Sequence, residues 1–157
     1  EHVIYRDGRP VLEEEQQLVY RERGGANPAA RVLPAPAQAQ WSREILPDPV
    51  LLFRYSALTF NSHRIHYDRD YAVQEEGYAG LVVQGPLTAT LLLDLLRREV
   101  PGARPATFRF RGIRPMLEGA AVQLQGRRDG NSVRLWALDA SGELAMDAQA
   151  ELTAGGA

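Results

Sequence analysis

The clearest periodic signal in the chain lies between Pro86 and Glu99. Leu87, Leu91, Leu92, Leu95 and Leu96 recur at helical spacing, and Thr88, Ala89 and Thr90 are small enough for close packing. Asp94 is the only charge between positions 86 and 96, so the pattern predicts a helix buried over most of its surface. Pro86 suits a first helical position, where its missing N–H would be unpaired anyway. Arg97 and Arg98 suit the C-terminal end, and Pro101-Gly102 supplies the stop.

Beyond that helix the period changes to two. Phe108 and Phe110 alternate with Arg109 and Arg111, as in a half-buried strand. Three more strands are predicted over Val122–Gly126, Ser132–Asp139 and Glu143–Leu152, with turns at Asp129-Gly130 and Ser141-Gly142. At the other end, Val3–Arg6 and Val11–Tyr20 flank Asp7-Gly8 and predict a hairpin within residues 1–22. The glutamates at 13–15 mark an exposed part of it. A lone hairpin is marginally stable, so it is expected to pack on a further sheet. Residues 23–40 carry Gly24-Gly25, Asn27-Pro28, Pro34, Pro36 and six alanines without a period, the composition of a linker. Trp41–Pro49 reads as an ordered entry segment with Ser42 capping a short turn. Pro47-Asp48-Pro49 then predicts extended backbone leading into a strand over Val50–Tyr55. Residues 56–76 read as loop with short helix. The order predicts an α+β fold in which an antiparallel sheet curves around one apolar helix.

Composition narrows the function classes. With 157 residues the chain suits a domain of ordinary size. A net charge of -2 gives no global attraction to nucleic acid or an anionic membrane. There is no cysteine, hence no disulfide, thiol nucleophile or cysteine-based zinc site, as suits a cytoplasmic protein. The longest apolar run, Gly80–Leu93, is interrupted by Gln84, Gly85 and Pro86 and is too short to span a bilayer. A first residue of Glu rather than Met implies a processed chain or a fragment.

The chemistry concentrates in FRYSALTFNSHRIHYDRDYA, residues Phe53–Ala72, which holds His63 and His66, two of only three histidines. His66 is the natural acid/base, since an imidazole titrates near neutrality. Asn61 can orient a water molecule through its amide but cannot exchange protons. Gly85 sits where the N-terminus of the predicted helix offers unpaired backbone N–H groups and favours negative charge. His63 and Asp68 are further candidates for proton transfer, although for His63 a role in holding the loop or Asn61 is favoured. His2 is read as incidental, and the glutamate run is given no weight as a metal site.

Several separated blocks then resemble one family. The frame Asn61-Ser62-His63-Arg64-Ile65-His66 resembles the motif of the MaoC-like hydratases, usually Asp, any residue, Asn-Pro, an aliphatic residue and His. His66 falls on the catalytic His and Asn61 on the catalytic Asp, while His63 and Arg64 replace Asn-Pro. FRYSALTFNSHRIHYD, VVQGPLTATLLLDLL and GNSVRLWALDASGELAMDAQAE are more similar still to the branch containing hydroxyacyl-thioester dehydratases type 2 and mesaconyl-C4-CoA hydratases. The resemblance covers residues 41–153.

It implies a hotdog fold, with the catalytic hotdog over 41–157 forming the C-terminal half of a double hotdog. The hairpin of residues 1–22, where LEEEQQLVYRE resembles the end of an N-terminal half, would be that half's remnant, and 23–40 the linker. It implies reversible hydration of an enoyl thioester to a 3-hydroxyacyl thioester, with His66 as acid/base, Asn61 orienting water and the Gly85 N–H as oxyanion donor. Tyr55, His63, Arg64, Tyr67 and Gln84 are the expected substrate contacts. For Tyr55 and Tyr67, ordinary packing is the alternative to lining an acyl pocket. Arg64, Arg109, Arg111 and Arg114 are candidates for phosphates, with a solvated strand face the favoured reading of Arg109 and Arg111. No metal or redox cofactor is implied; coenzyme A or the phosphopantetheine of an acyl-carrier protein belongs to the substrate. A homodimer, or pairing with the N-terminal half, is expected to cover the sheet edge. Two alternatives remain: a thioesterase on the same fold, for which only Asp68 offers a carboxylate near His66, and a hotdog that binds acyl thioesters without catalysis.

Overall fold

The computed structural model describes residues 1–17, 33–36 and 38–153. Strands β1 (His2–Arg6) and β2 (Arg9–Glu14) form an antiparallel hairpin of their own. Asp7 and Gly8 both adopt left-handed backbone, φ 52° and 74°, as a two-residue turn of this kind requires. The strand expected to run to Tyr20 ends at Glu14. Its last residues from 18 on, and most of the 23–40 linker, lie outside the described residues.

The main sheet has five antiparallel strands in the order β3-β5-β6-β7-β4. They are β3 (Trp41–Ile45), β4 (Pro105–Gly112), β5 (Val122–Asp129), β6 (Ser132–Leu138) and β7 (Leu144–Leu152). The buried helix is α2 (Gly85–Glu99), which lays Leu87, Thr88, Ala89, Leu92, Leu95 and Leu96 against β3, β5, β6 and β7. Leu124, Leu135, Met146 and Ala150 answer from the sheet. Asp94 is held well below the usual carboxylate range by Arg98 and Arg97 of the same helix and by Arg43 of β3. This is the hotdog arrangement the order of elements predicts.

Two expectations are corrected. Val50–Tyr55 is not a strand but part of helix α1 (Pro49–Thr59). Asp48 itself is extended, as the residue before a proline should be, but its carboxylate caps α1 by accepting the Leu51 N–H at 2.7 Å, and Pro49 opens the helix. Leu52 and Ser56, four residues apart, are the buried positions of α1; Val50, Phe53 and Leu58 are exposed. A short apolar run does not distinguish these two states by period. Likewise Trp41–Ile45 is an edge strand rather than an entry turn, and Ser42 pairs with Gln125 instead of capping.

β4 is an edge strand paired only with β7. Phe108 and Phe110 share one face as their spacing predicts, ring centroids 5.8 Å apart, but Phe110 is 46% exposed and the face is less covered than a half-buried strand. The opposite face of the sheet carries a smaller cluster the pattern did not indicate. There Trp136 is fully buried with Leu138, Leu144, Ile113 and Leu33, and its indole N–H donates to Gln125 at 2.7 Å.

Candidate active site

His66 closes a short 3-10 turn, Arg64–His66, and is 8% exposed. Its Nδ1 lies 2.7 Å from the carbonyl oxygen of Val82, which can only accept, so Nδ1 carries the proton. In the neutral ring Nε2 is then the free base. Val82 answers with its own N–H, donated to the Ile65 carbonyl at 3.0 Å. Burial pushes the His66 pKa below its ordinary 6.5, the Val82 bond partly opposes this, and the neighbouring His63 adds to the fall.

The segment that holds His66 is itself braced. Val83 donates to Met116 at 2.9 Å, and the Glu118 N–H donates to Leu81 at 3.0 Å. The Glu118 carboxylate is nearly buried, pairs with Arg69 and accepts the Leu81 N–H.

Asn61 follows the left-handed Phe60 that ends α1. Its N–H donates to the Ser56 carbonyl at 2.9 Å, and its side-chain oxygen accepts the His63 N–H at 3.1 Å. His63 is exposed, and its ring stands edge-on to His66 with centroids 5.4 Å apart. Asn61, Ser62 and Tyr67 line an apolar pocket of about 300 Å³ together with Phe53, Ser56, Ala57 and Phe60. The larger hollow, about 630 Å³, lies by Glu99–Pro101 at the far end of α2 and contains none of the candidate residues.

The other candidates separate. Tyr67 borders the pocket while its hydroxyl donates to Ser62 at 2.9 Å, and Tyr55 packs against the core. Arg64 is bonded to Asp68 at 2.7 Å and lies over the Tyr71 ring at 4.2 Å. Asp68 also accepts the Tyr71 N–H; that bond and Arg64 lower its pKa. Arg114 pairs with Asp139 and Glu143. Among the described residues no cluster of three or more His, Asp or Glu is placed to hold a metal ion.

Gly85 is the first residue of α2 and Gln84 its N-cap, so the Gly85 N–H has no acceptor within the helix. The backbone of Gly85 is not left-handed, and a Cβ there would meet only Met146, at 3.9 Å. The fold therefore does not demand glycine at this position. Gln84 is fully buried. Two contributors were not foreseen: Ser56, because its segment reads as loop, and the Val82 carbonyl, because a main-chain acceptor has no side-chain signature.

The fold is of the MaoC-like hotdog class. The structure is similar to a MaoC-like dehydratase from Phytophthora capsici, with a TM-score of 0.67, 18% identity, and coverage of 89% of this chain and 45% of that one. It is similar also to the unliganded R-hydratase PhaJ1 from Pseudomonas aeruginosa, with a TM-score of 0.64, 19% identity, and coverage of 73% and 79%. The family model described as hydroxyacyl-thioester dehydratase type 2 matches residues 1–118, and the chain belongs to that family. It is 46% identical over 151 residues to a mesaconyl-C(4)-CoA hydratase from Chloroflexus aurantiacus, covering 95% of this chain and 53% of that protein. It is 33% identical over 127 residues to a mitochondrial hydroxyacyl-thioester dehydratase type 2 from Schizosaccharomyces pombe, covering 80% and 41%. The chain thus spans about half the length of these curated relatives.

Proposed function

We propose that this chain carries the catalytic hotdog of an acyl-thioester hydro-lyase, which adds water to an enoyl thioester and removes it from the 3-hydroxyacyl product. The observation that carries the reading is the buried His66, whose Nδ1–H is spent on Val82 and whose Nε2 is left as a base in a protein of this family. In hydration, His66 Nε2 takes a proton from water as the oxygen bonds to Cβ. Electrons move onto the thioester carbonyl oxygen, which the Gly85 N–H stabilises as an enolate. The proton then returns to Cα, so the elements of water are added and nothing is oxidised. Asn61 holds the water through its carboxamide. The acyl chain lies in the pocket bordered by Phe53, Phe60 and Tyr67.

The substrate is an acyl group on coenzyme A or on a carrier-protein phosphopantetheine, and the reaction as written needs no metal or redox cofactor. The name of the Chloroflexus relative makes mesaconyl-CoA the first substrate to try. We assign the partner as a second hotdog, either an N-terminal half of the same protein or another copy. The exposed Phe53 and Leu58 of α1, the exposed Phe60 that follows it, the half-exposed Phe110, and relatives of about twice this length support that assignment. The hairpin at 1–14 and the linker after it would then belong to the junction between halves.

Absorbance of crotonyl-CoA and mesaconyl-CoA with wild type and His66→Ala tests the reaction. Loss of the conjugated enoyl signal without free thiol, abolished in His66→Ala, is the expected result. Free thiol would mean a thioesterase, and tight binding without turnover a binding module; either would overturn the proposal.

A further inference from the structure

Gln84 is an unusual residue to find at the N-terminus of α2. It is fully buried, and its side-chain oxygen has no hydrogen-bond partner. By stability alone an apolar side chain of similar length would be the better occupant, because an unsatisfied buried carbonyl is costly. The compensating feature is the other end of the amide. Its Nε2 donates to the Leu52 carbonyl at 2.8 Å and to the Ser56 hydroxyl at 3.0 Å, both on the buried side of α1. Ser56 in turn is 5% exposed, borders the apolar pocket, and through its carbonyl accepts the N–H of Asn61 at 2.9 Å. The main chain of Gln84 starts α2, its carbonyl accepting the Thr88 N–H at 3.1 Å, and the next residue is Gly85. One side chain thus ties the turn that presents the Gly85 N–H to the helix end that presents Asn61.

We propose that Gln84 and Ser56 are a positioning pair, a clamp that sets the oxyanion donor at Gly85 against the water-holding Asn61. The assignment rests on the catalytic roles given above to Asn61 and Gly85. In it Gln84 does not touch substrate. His66 stands outside the clamp, because its own brace is Val82. An interaction realised only as the enolate forms should appear in kcat and kcat/KM together, with KM little changed.

The test uses the full-length protein and Gln84→Met, which keeps the volume, removes both clamp bonds and removes the unpaired oxygen. The expected result is a melting temperature equal to or above wild type and a kcat lower by about tenfold or more. KM should stay within about twofold, and the acid limb of the pH profile should not move. Ser56→Ala breaks one of the two bonds and should give a smaller loss of the same kind. The double variant should be no slower than Gln84→Met alone, since the two residues act as one unit. Hydrogen exchange at the Asn61 N–H should quicken in Gln84→Met while global stability holds. Wild-type kcat in Gln84→Met, a kcat loss that merely follows a fall in melting temperature, or additive losses in the double variant would overturn the proposal. Should Gln84→Met fail to fold, Ser56→Ala decides by the same signs. If the wild-type protein hydrates no enoyl thioester, the catalytic reading falls and the positioning role falls with it. Exchange at Asn61 then reports on the Gln84–Ser56 tie alone, which unchanged exchange would refute.

Discussion

The side-chain oxygen of Asn61 accepts the backbone N–H of His63 at 3.1 Å, so one of its two lone pairs is taken by the turn while the amide NH₂ remains to hold a ligand. An aspartate at this position would keep the turn but add a negative charge beside His63, whose ring adjoins that of His66. Asn61→Asp is expected to fold like wild type and to move the acid limb of activity upward by on the order of one pH unit, because a carboxylate favours the imidazolium. A pH–rate profile of the variant beside wild type measures the shift.

The direction of the His66 shift fixes the pH behaviour. Its folded pKa lies below 6.5, so the neutral base persists under mild acid and the acid limb of kcat/KM should fall below pH 6.5. For stability, the unfolded chain binds the proton first as pH falls. The contribution from burying a neutral His66 is therefore full above about pH 6.5 and is lost progressively below it. His66→Gln should flatten that part of a melting-temperature against pH curve, and His66→Ala should cost about 10²- to 10⁴-fold in turnover.

Gly85 offers a separation of fold from function. Its missing side chain would make only an ordinary contact with Met146, and alanine is the better helix former. Gly85→Ala is expected to melt at or slightly above wild type while turnover drops, because the added methyl stands beside the N–H proposed as the oxyanion donor. Unchanged activity would move the oxyanion donor elsewhere.

The cap on α1 makes a stability prediction independent of chemistry. Asp48→Ala removes the acceptor of the Leu51 N–H and should cost about 0.5–2 kcal/mol in urea unfolding. Asp48→Asn should recover most of it.

At Gly126, unlike Gly85, there is no room. A Cβ would stand 2.7 Å from Leu135 Cδ2 and 3.0 Å from the Trp41 ring. Gly126→Ala is expected to destabilise by about 1–3 kcal/mol and to loosen β3 first. Hydrogen exchange along Trp41–Ile45 would report it.

These residues also explain how far the sequence could be read. The buried helix was legible because Leu87, Leu92, Leu95 and Leu96 repeat at its period, and the β5–β6 and β6–β7 hairpins because Asp129-Gly130 and Ser141-Gly142 punctuate them. The helix α1 was not, since the apolar run Val50–Phe53 is too short to show a period and Asp48 between two prolines resembles a break as much as a cap. His66, Asn61 and Gly85 stood out as chemistry, but the ties among them run through carbonyls of Ser56 and Val82. Main-chain acceptors are placed by the fold alone. Nor could the sequence show that Arg64 pairs with Asp68 while lying over the Tyr71 ring.

Because His66 is oriented by the main chain of Val82, the contact is indifferent to which amino acid is encoded at position 82. A side-chain carboxylate in that role would be one codon away from loss. Here genetic drift at 82 can change shape but cannot delete the acceptor, and a saturation library there should recover many active clones among residues that fit a site 7% exposed. The hereditary fragility is transferred to positions that hold the path of the chain. Glu118 is such a position, because its carboxylate bonds the Leu81 N–H and pairs with Arg69. Variation that silences this protein without touching His66 should therefore collect at Glu118.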